Sequence, residues 1–156
     1  MKGILDTSTL IDLADLDAQD LPSEPLITAI TLAELSVGPL VARSETERAA
    51  RQAHLQQAEA DFEPLPFDAA AARAFGAVAA SLRRAGRKPA ARAYDALIAA
   101  TAISNGLPLF TRNPDDFSGI EGLDLRPVPH EGAGPAGGAG PSTRAAPPVT
   151  GSWCAP

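Results

Sequence analysis

Lys2-Gly3-Ile4-Leu5-Asp6-Thr7-Ser8-Thr9 begins as a short apolar run, stops on an acid and continues into three small hydroxyl residues. Gly3 to Leu5 reads as a strand. The hydroxyls open a helix from about Ser8 to Ala14, with Thr7 or Ser8 supplying the N-cap oxygen. The alternation then repeats. Pro25-Leu26-Ile27-Thr28 is a second strand, followed by a helix from about Ile30 to Val41. Phe62 to Phe67 is a third, placed at a sheet edge by Pro64 and Pro66, which have no N–H to give to a neighbour. One helix runs from Asp68, its N-cap, to about Arg84, and another from Arg92 to Ser104, stopped by Asn105-Gly106. In the latter, Tyr94, Leu97, Ile98, Thr101 and Ala102 follow helical spacing and are expected to face the sheet. Leu107 to Phe110 and Leu125 to Val128 complete about five strands. Strands separated by helices predict an α/β fold: a mostly parallel sheet, right-handed crossovers and helices on both faces.

The remaining segments are less regular. Glu45 to Ala60, rich in Arg, Glu, Gln and Ala with Leu55 as its one large apolar residue, is expected to be a solvent-facing helix. Residues 131–156, dominated by Gly, Ala, Pro and Ser/Thr, cannot bury enough apolar surface to offset their chain entropy and are expected to be a disordered tail. Trp153 within it is an incidental residue or a docking anchor. Residues 1–130 then form one domain, long enough for a real core. Apolar residues make up 45% of the chain but aromatics only 4%, a composition suited to helices packed closely on a sheet. There is no apolar run of the roughly 18 residues that a membrane span needs, and no basic-then-apolar leader at the start. A single cysteine, Cys154, cannot form an internal disulfide. A cytosolic protein is the expectation.

Four acids stand where this alternation would bring them together. Asp6 ends the first strand and Asp116 follows the fourth, in Thr111-Arg112-Asn113-Pro114-Asp115-Asp116-Phe117. Glu34 and Asp95 lie within apolar helical patterns. In open parallel sheets, sites form beyond the carboxyl ends of the strands. Each acid also has an ordinary explanation. Asp6 could merely cap a helix, and Asp95 could answer a helix dipole for about 0.3–1 kcal/mol. Asp115 competes with Asp116, although Phe117 would anchor the turn and direct Asp116 inward. Glu34 is harder to dismiss, because an unpaired buried carboxylate costs several kcal/mol. Together, converging carboxylates call for a hard cation such as Mg²⁺ or Mn²⁺, which takes oxygen ligands and commonly acts on phosphate esters. Asp12, Asp15, Asp17 and Asp20 bear no fixed relation to a strand end and are expected to be solvated. His54 and His130 are too isolated for a zinc site or a His-based triad.

The net charge of −6 counts against nucleic-acid binding, but its distribution does not. Arg83 to Arg92 holds five cations and no acid, and runs into the helix carrying Asp95. A solvated charged turn is one explanation. Beside a carboxylate cluster, Arg84, Arg87, Lys88 and Arg92 are better read as a basic rim for RNA phosphates, with steep salt dependence.

Four stretches, in order and at suitable separations, resemble the PIN-domain ribonucleases, and most closely the VapC toxins of bacterial toxin–antitoxin pairs. They are Ile4-Leu5-Asp6-Thr7-Ser8, Thr28 to Leu35, Tyr94 to Ala102 and Leu109 to Phe117. The likeness spans about Met1 to Pro129 and leaves out the tail. It implies a three-layer α/β/α sandwich and Mg²⁺- or Mn²⁺-dependent endonucleolytic cleavage of RNA. It further implies a VapB-type antitoxin as partner and a homodimer. Asp6, Glu34, Asp95 and Asp116 match the family's four acids, and Thr111 and Asn113 match the pattern around the last. By this resemblance Asp6, Asp95 and Asp116 are metal ligands, direct or through water. Glu34 orients or deprotonates the attacking water, or is a ligand itself. Thr7, Ser8, Thr111 and Asn113 fix carboxylate rotamers. The nearer alternatives are a PIN nuclease of RNA processing and a catalytically silent PIN-fold binding module. A phosphotransfer enzyme of the haloacid-dehalogenase type would need a second Asp where Ser8 stands. A receiver domain would need an acid pair at the first strand and a lysine late in the sheet.

Overall fold

A computed structural model describes residues 1–129. The sheet has four strands, β1 (Lys2–Leu5), β2 (Glu24–Leu26), β3 (Leu109–Thr111) and β4 (Leu125–Pro127), in the order β2-β1-β3-β4. All three pairings are parallel, and Ile4 and Leu5 lie opposite Leu109 and Phe110. Five α-helices connect them: α1 (Thr7–Ile11), α2 (Ala29–Val37), α3 (Glu45–Asp61), α4 (Ala69–Arg84) and α5 (Ala93–Asn105).

Strand alternation separates the layers. Ile4 and Leu109 point to one face, where they pack with Ile98, Ala99 and Ala102 of α5 and with Phe117. Leu5 and Phe110 point to the other, against Leu10, Leu13, Leu16 and Leu21. The outer side of α5, Ala96 and Ala100, is covered by Val78 and Leu82 of α4. Alanine at these positions lets the two helices approach closely. On the Leu10 side, Ile27, Leu35 and Ala58 join α2 and α3 to the molecule, so α3 is solvent-facing along most but not all of its length.

The third strand expected, at Phe62 to Phe67, is reduced to one parallel bridge between Thr28 and Leu65. Leu65 donates to Ile27 O and accepts from Ala29 N, but Pro64 and Pro66 on either side have no N–H with which to extend the ladder. The N-cap of α1 is neither Thr7 nor Ser8 but Asp6, whose Oδ1 accepts from Thr9 N. Residues Thr28, Ser44 and Asp68 cap α2, α3 and α4 in the same way. Gly106 ends α5 at φ 63°, with Leu107 N reaching back to Ala102 O. Expectations for His130, Trp153, Cys154 and the 131–156 tail lie outside the described residues.

Candidate active site

The carboxyl ends of β1 and β3 are neighbours, so Asp6 and Thr111 meet. Asp6 N donates to Phe110 O at 3.2 Å, which continues the ladder to the acid itself. Asp6 is 5% exposed. Thr111 Oγ1 donates to its Oδ2 at 2.7 Å, Thr9 N to its Oδ1 at 3.0 Å, and the Ser8 hydroxyl lies 3.2 Å from Oδ2. Asn113 Nδ2 donates to Ser8 Oγ at 3.0 Å, and Asn113 N to Thr111 Oγ1 at 3.0 Å. A single network therefore fixes the Asp6 carboxylate from two chain segments, the start of α1 and the end of β3 with its loop. Burial raises its pKa, and these donors oppose the rise without cancelling it.

Glu34 projects from the middle of α2 toward the start of α1. The Thr7 hydroxyl sits 2.7 Å from Glu34 Oε1 and 3.1 Å from Thr31 Oγ1, which ties the two helices together. Burial raises the Glu34 pKa, the Thr7 hydrogen bond lowers it, and the Asp6 charge adds a smaller upward push.

Asp95 lies in the first turn of α5. Its pKa is pushed up to about 7, by burial first and then by the charges of Asp116, Glu34 and Asp6, with Arg92 pulling the other way. All three other acids are therefore near enough to act on Asp95. Asp116 stands in the short 3-10 turn Pro114–Phe117, and the buried Phe117 side chain pins that turn to the core. Its Oδ1 accepts from Arg92 Nη1, whose guanidinium also lies 3.9 Å from Asp95 Oδ2. Asp115 is exposed, and its carbonyl accepts from Arg87 Nη1 and from Ser118 Oγ, each at 3.0 Å.

The basic segment divides. Arg92 reaches the acids and Arg87 braces the turn carrying Asp116, whereas Arg84 pairs with Glu121 at 3.1 Å and Lys88 is exposed. Two expectations need correction. Tyr94 does not face the sheet but is 38% exposed, because Asp95 and Ala96 next to it take the inward positions. Asp12 is not simply solvated; it pairs with Arg112, in the loop after β3. Thr9 and Thr31 escaped sequence reasoning. Both are buried, and Thr9 Oγ1 accepts from Arg112 N at 3.1 Å, holding the β3 loop against α1. A threonine on the inward side of a helix beside an acid is a faint signal, easily taken for a small core residue.

As a donor set the acids are all oxygen and suit a hard divalent cation rather than zinc. As the side chains lie, however, no group of three or more His, Cys, Asp or Glu among the described residues is arranged to hold a metal ion. No helix among the described residues is long and apolar enough to cross a membrane.

Residues 4–123 match the family described as PIN domain. Ribonuclease VapC5 of Mycobacterium tuberculosis is 41% identical over 123 residues, which is 77% of this chain and 88% of that protein. Ribonuclease VapC1 of Rickettsia felis is 31% identical over 65% of this chain and 75% of that protein. The crystal structure of VapBC-5 from M. tuberculosis, a member of the VapBC family of toxin–antitoxin systems, aligns with a TM-score of 0.71 and 38% identity. That alignment covers 81% of this chain and 98% of that one. DNA-bound VapBC from Salmonella typhimurium aligns with a TM-score of 0.64 and 29% identity, over 80% of this chain and 96% of that one. With this match over most of its length, the chain belongs to the PIN-domain family, on its VapC branch.

Proposed function

We propose that this chain is a Mg²⁺- or Mn²⁺-dependent endoribonuclease and the toxin of a VapBC-type pair. The observation that carries the proposal is electrostatic. Asp6, Glu34 and Asp116 each raise the pKa of Asp95, a crowding of like charge that a folded protein tolerates when a cation relieves it. Asp6, Asp95 and Asp116 would hold the ion, which when bound supplies an activated water and neutralises charge building on the phosphate.

The chain's own residues supply the rest. Thr111, Ser8 and Thr9 N hold Asp6 in one rotamer, and Asn113 holds Ser8. Glu34 gives one oxygen to Thr7, which leaves the other to orient or deprotonate the attacking water. Its raised pKa suits a proton acceptor. Arg87, Lys88 and Arg92, with Arg84 further out, form the rim that receives RNA phosphates.

The ribonuclease names of the relatives and the toxin–antitoxin description of VapBC-5 support RNA as substrate and a VapB-type antitoxin as partner. A homodimer and a cytoplasmic site of action belong to the same proposal. The test is incubation of the purified chain with RNA in Mg²⁺ or Mn²⁺, with and without EDTA, beside Asp6→Asn. Internal cuts that EDTA stops, and that folded Asp6→Asn fails to make by at least about a hundredfold, are expected. Full activity in EDTA, or in folded Asp6→Asn, would overturn the proposal.

A further inference from the structure

The acids are right in kind for a divalent ion, yet as they lie no three of them are arranged to hold one. Arg92 stands between two of these acids. Its guanidinium hydrogen-bonds Asp116 and stands 3.9 Å from Asp95, so one cation already spans two of the three proposed ligands. Arg92 sits just ahead of α5 in the short 3-10 turn Pro89–Arg92, three residues before Asp95. That spacing places a helix-side acid within reach of it, while the turn anchored by Phe117 presents Asp116. The Arg92 side chain is 38% exposed, leaving the guanidinium a path outward to solvent.

Resting on the metal-dependent reading above, we propose that Arg92 is the site's resident counter-cation, which competes with the divalent ion for Asp116 and Asp95. Its guanidinium and a metal ion would draw on the same two carboxylates, and two positive charges held that close repel each other. Binding of the ion therefore requires the Arg92 side chain to leave Asp116. Arg92 is thus a positioning residue: it keeps the carboxylates from repelling one another and sets a threshold for metal capture. Arg87 provides an internal comparison. It lies on the same rim but donates to the Asp115 carbonyl, not to an acid of the site.

The test is calorimetric titration of Mn²⁺ into the full chain and into Arg92→Gln, Arg92→Lys, Arg87→Gln, Asp116→Asn and Arg92→Gln/Asp116→Asn, each checked for folding by its melting curve. Arg92→Gln is expected to bind Mn²⁺ about tenfold or more tightly, from loss of a charge-assisted competitor. Arg92→Lys should fall between it and the wild type, and Arg87→Gln should change affinity far less. In the Asp116→Asn background, replacing Arg92 should lose most of its effect. Equal Mn²⁺ affinity in wild type and Arg92→Gln would overturn the competition and leave the metal site standing. So would equal gains from Arg92→Gln and Arg87→Gln, which would mean a general field effect. If no variant binds Mn²⁺ saturably, the metal-dependent reading fails and Arg92's role fails with it.

Discussion

Asp6 carries two roles that sequence reasoning treats as alternatives. It caps α1 through Oδ1 while Oδ2 receives Thr111, so helix initiation and site assembly use opposite oxygens of one carboxylate. The capping interaction stabilises the fold and also removes the rotamer freedom that would blur the site. This makes Thr111 the sharpest residue-scale probe. Thr111→Val keeps the shape but removes a donor to Asp6 and an acceptor for Asn113 N. RNA cleavage, followed as kcat/KM, is expected to fall about 10- to 100-fold, with Thr111→Ser largely retaining it. Undiminished cleavage by Thr111→Val would show that the network does not position Asp6. That these four acids lie within electrostatic reach of one another was legible from the chain, because each follows a strand or lies inside an apolar helix. What Arg92 touches was not, since Asp116 is 24 positions away and the contact depends on how a turn lies against a helix.

At the scale of elements, helices were legible where caps and spacing agree. Asp68 capping α4 and Gly106 ending α5 are examples. Strand existence was harder, because a strand needs a partner as well as a pattern. Leu65 has the right character and finds a single bridge to Thr28, its proline neighbours ending the pairing there. Tyr94 shows the same limit in a helix: periodicity gave it an inward place, which Asp95 and Ala96 occupy instead. Gly3 shows how closely the central strands are fitted. A Cβ there would stand 2.5 Å from the Phe110 ring and 3.0 Å from Pro22 Cβ. Gly3→Val should therefore destabilise the chain by about 1–3 kcal/mol, read as a lower denaturation midpoint at unchanged slope. A wild-type midpoint would mean that Phe110 and Pro22 yield freely.

For the whole molecule, the acid cluster couples folding to pH. Asp95 titrates at about 7 in the fold against an ordinary 3.8, so between these values the native state holds a proton that the unfolded chain has lost. Stability from this group is complete below about 4 and declines as pH rises through about 7; Asp6 and Glu34, also raised, act in the same direction. A divalent ion held by the ionised acids, as proposed, would reverse the trend. In EDTA, the melting temperature should fall on going from pH 5.5 to pH 8, and added Mn²⁺ should raise it more at pH 8 than at pH 5.5. An equal Mn²⁺ effect at both values would mean that the ion does not bind through these carboxylates.

The most direct measurement is the anomalous difference map of a crystal soaked in Mn²⁺. A strong peak bounded by Asp6, Asp95 and Asp116, with Arg92 withdrawn from Asp116, is the predicted result. A map whose Mn²⁺ peaks all lie elsewhere, with these carboxylates left without one, would contradict the account.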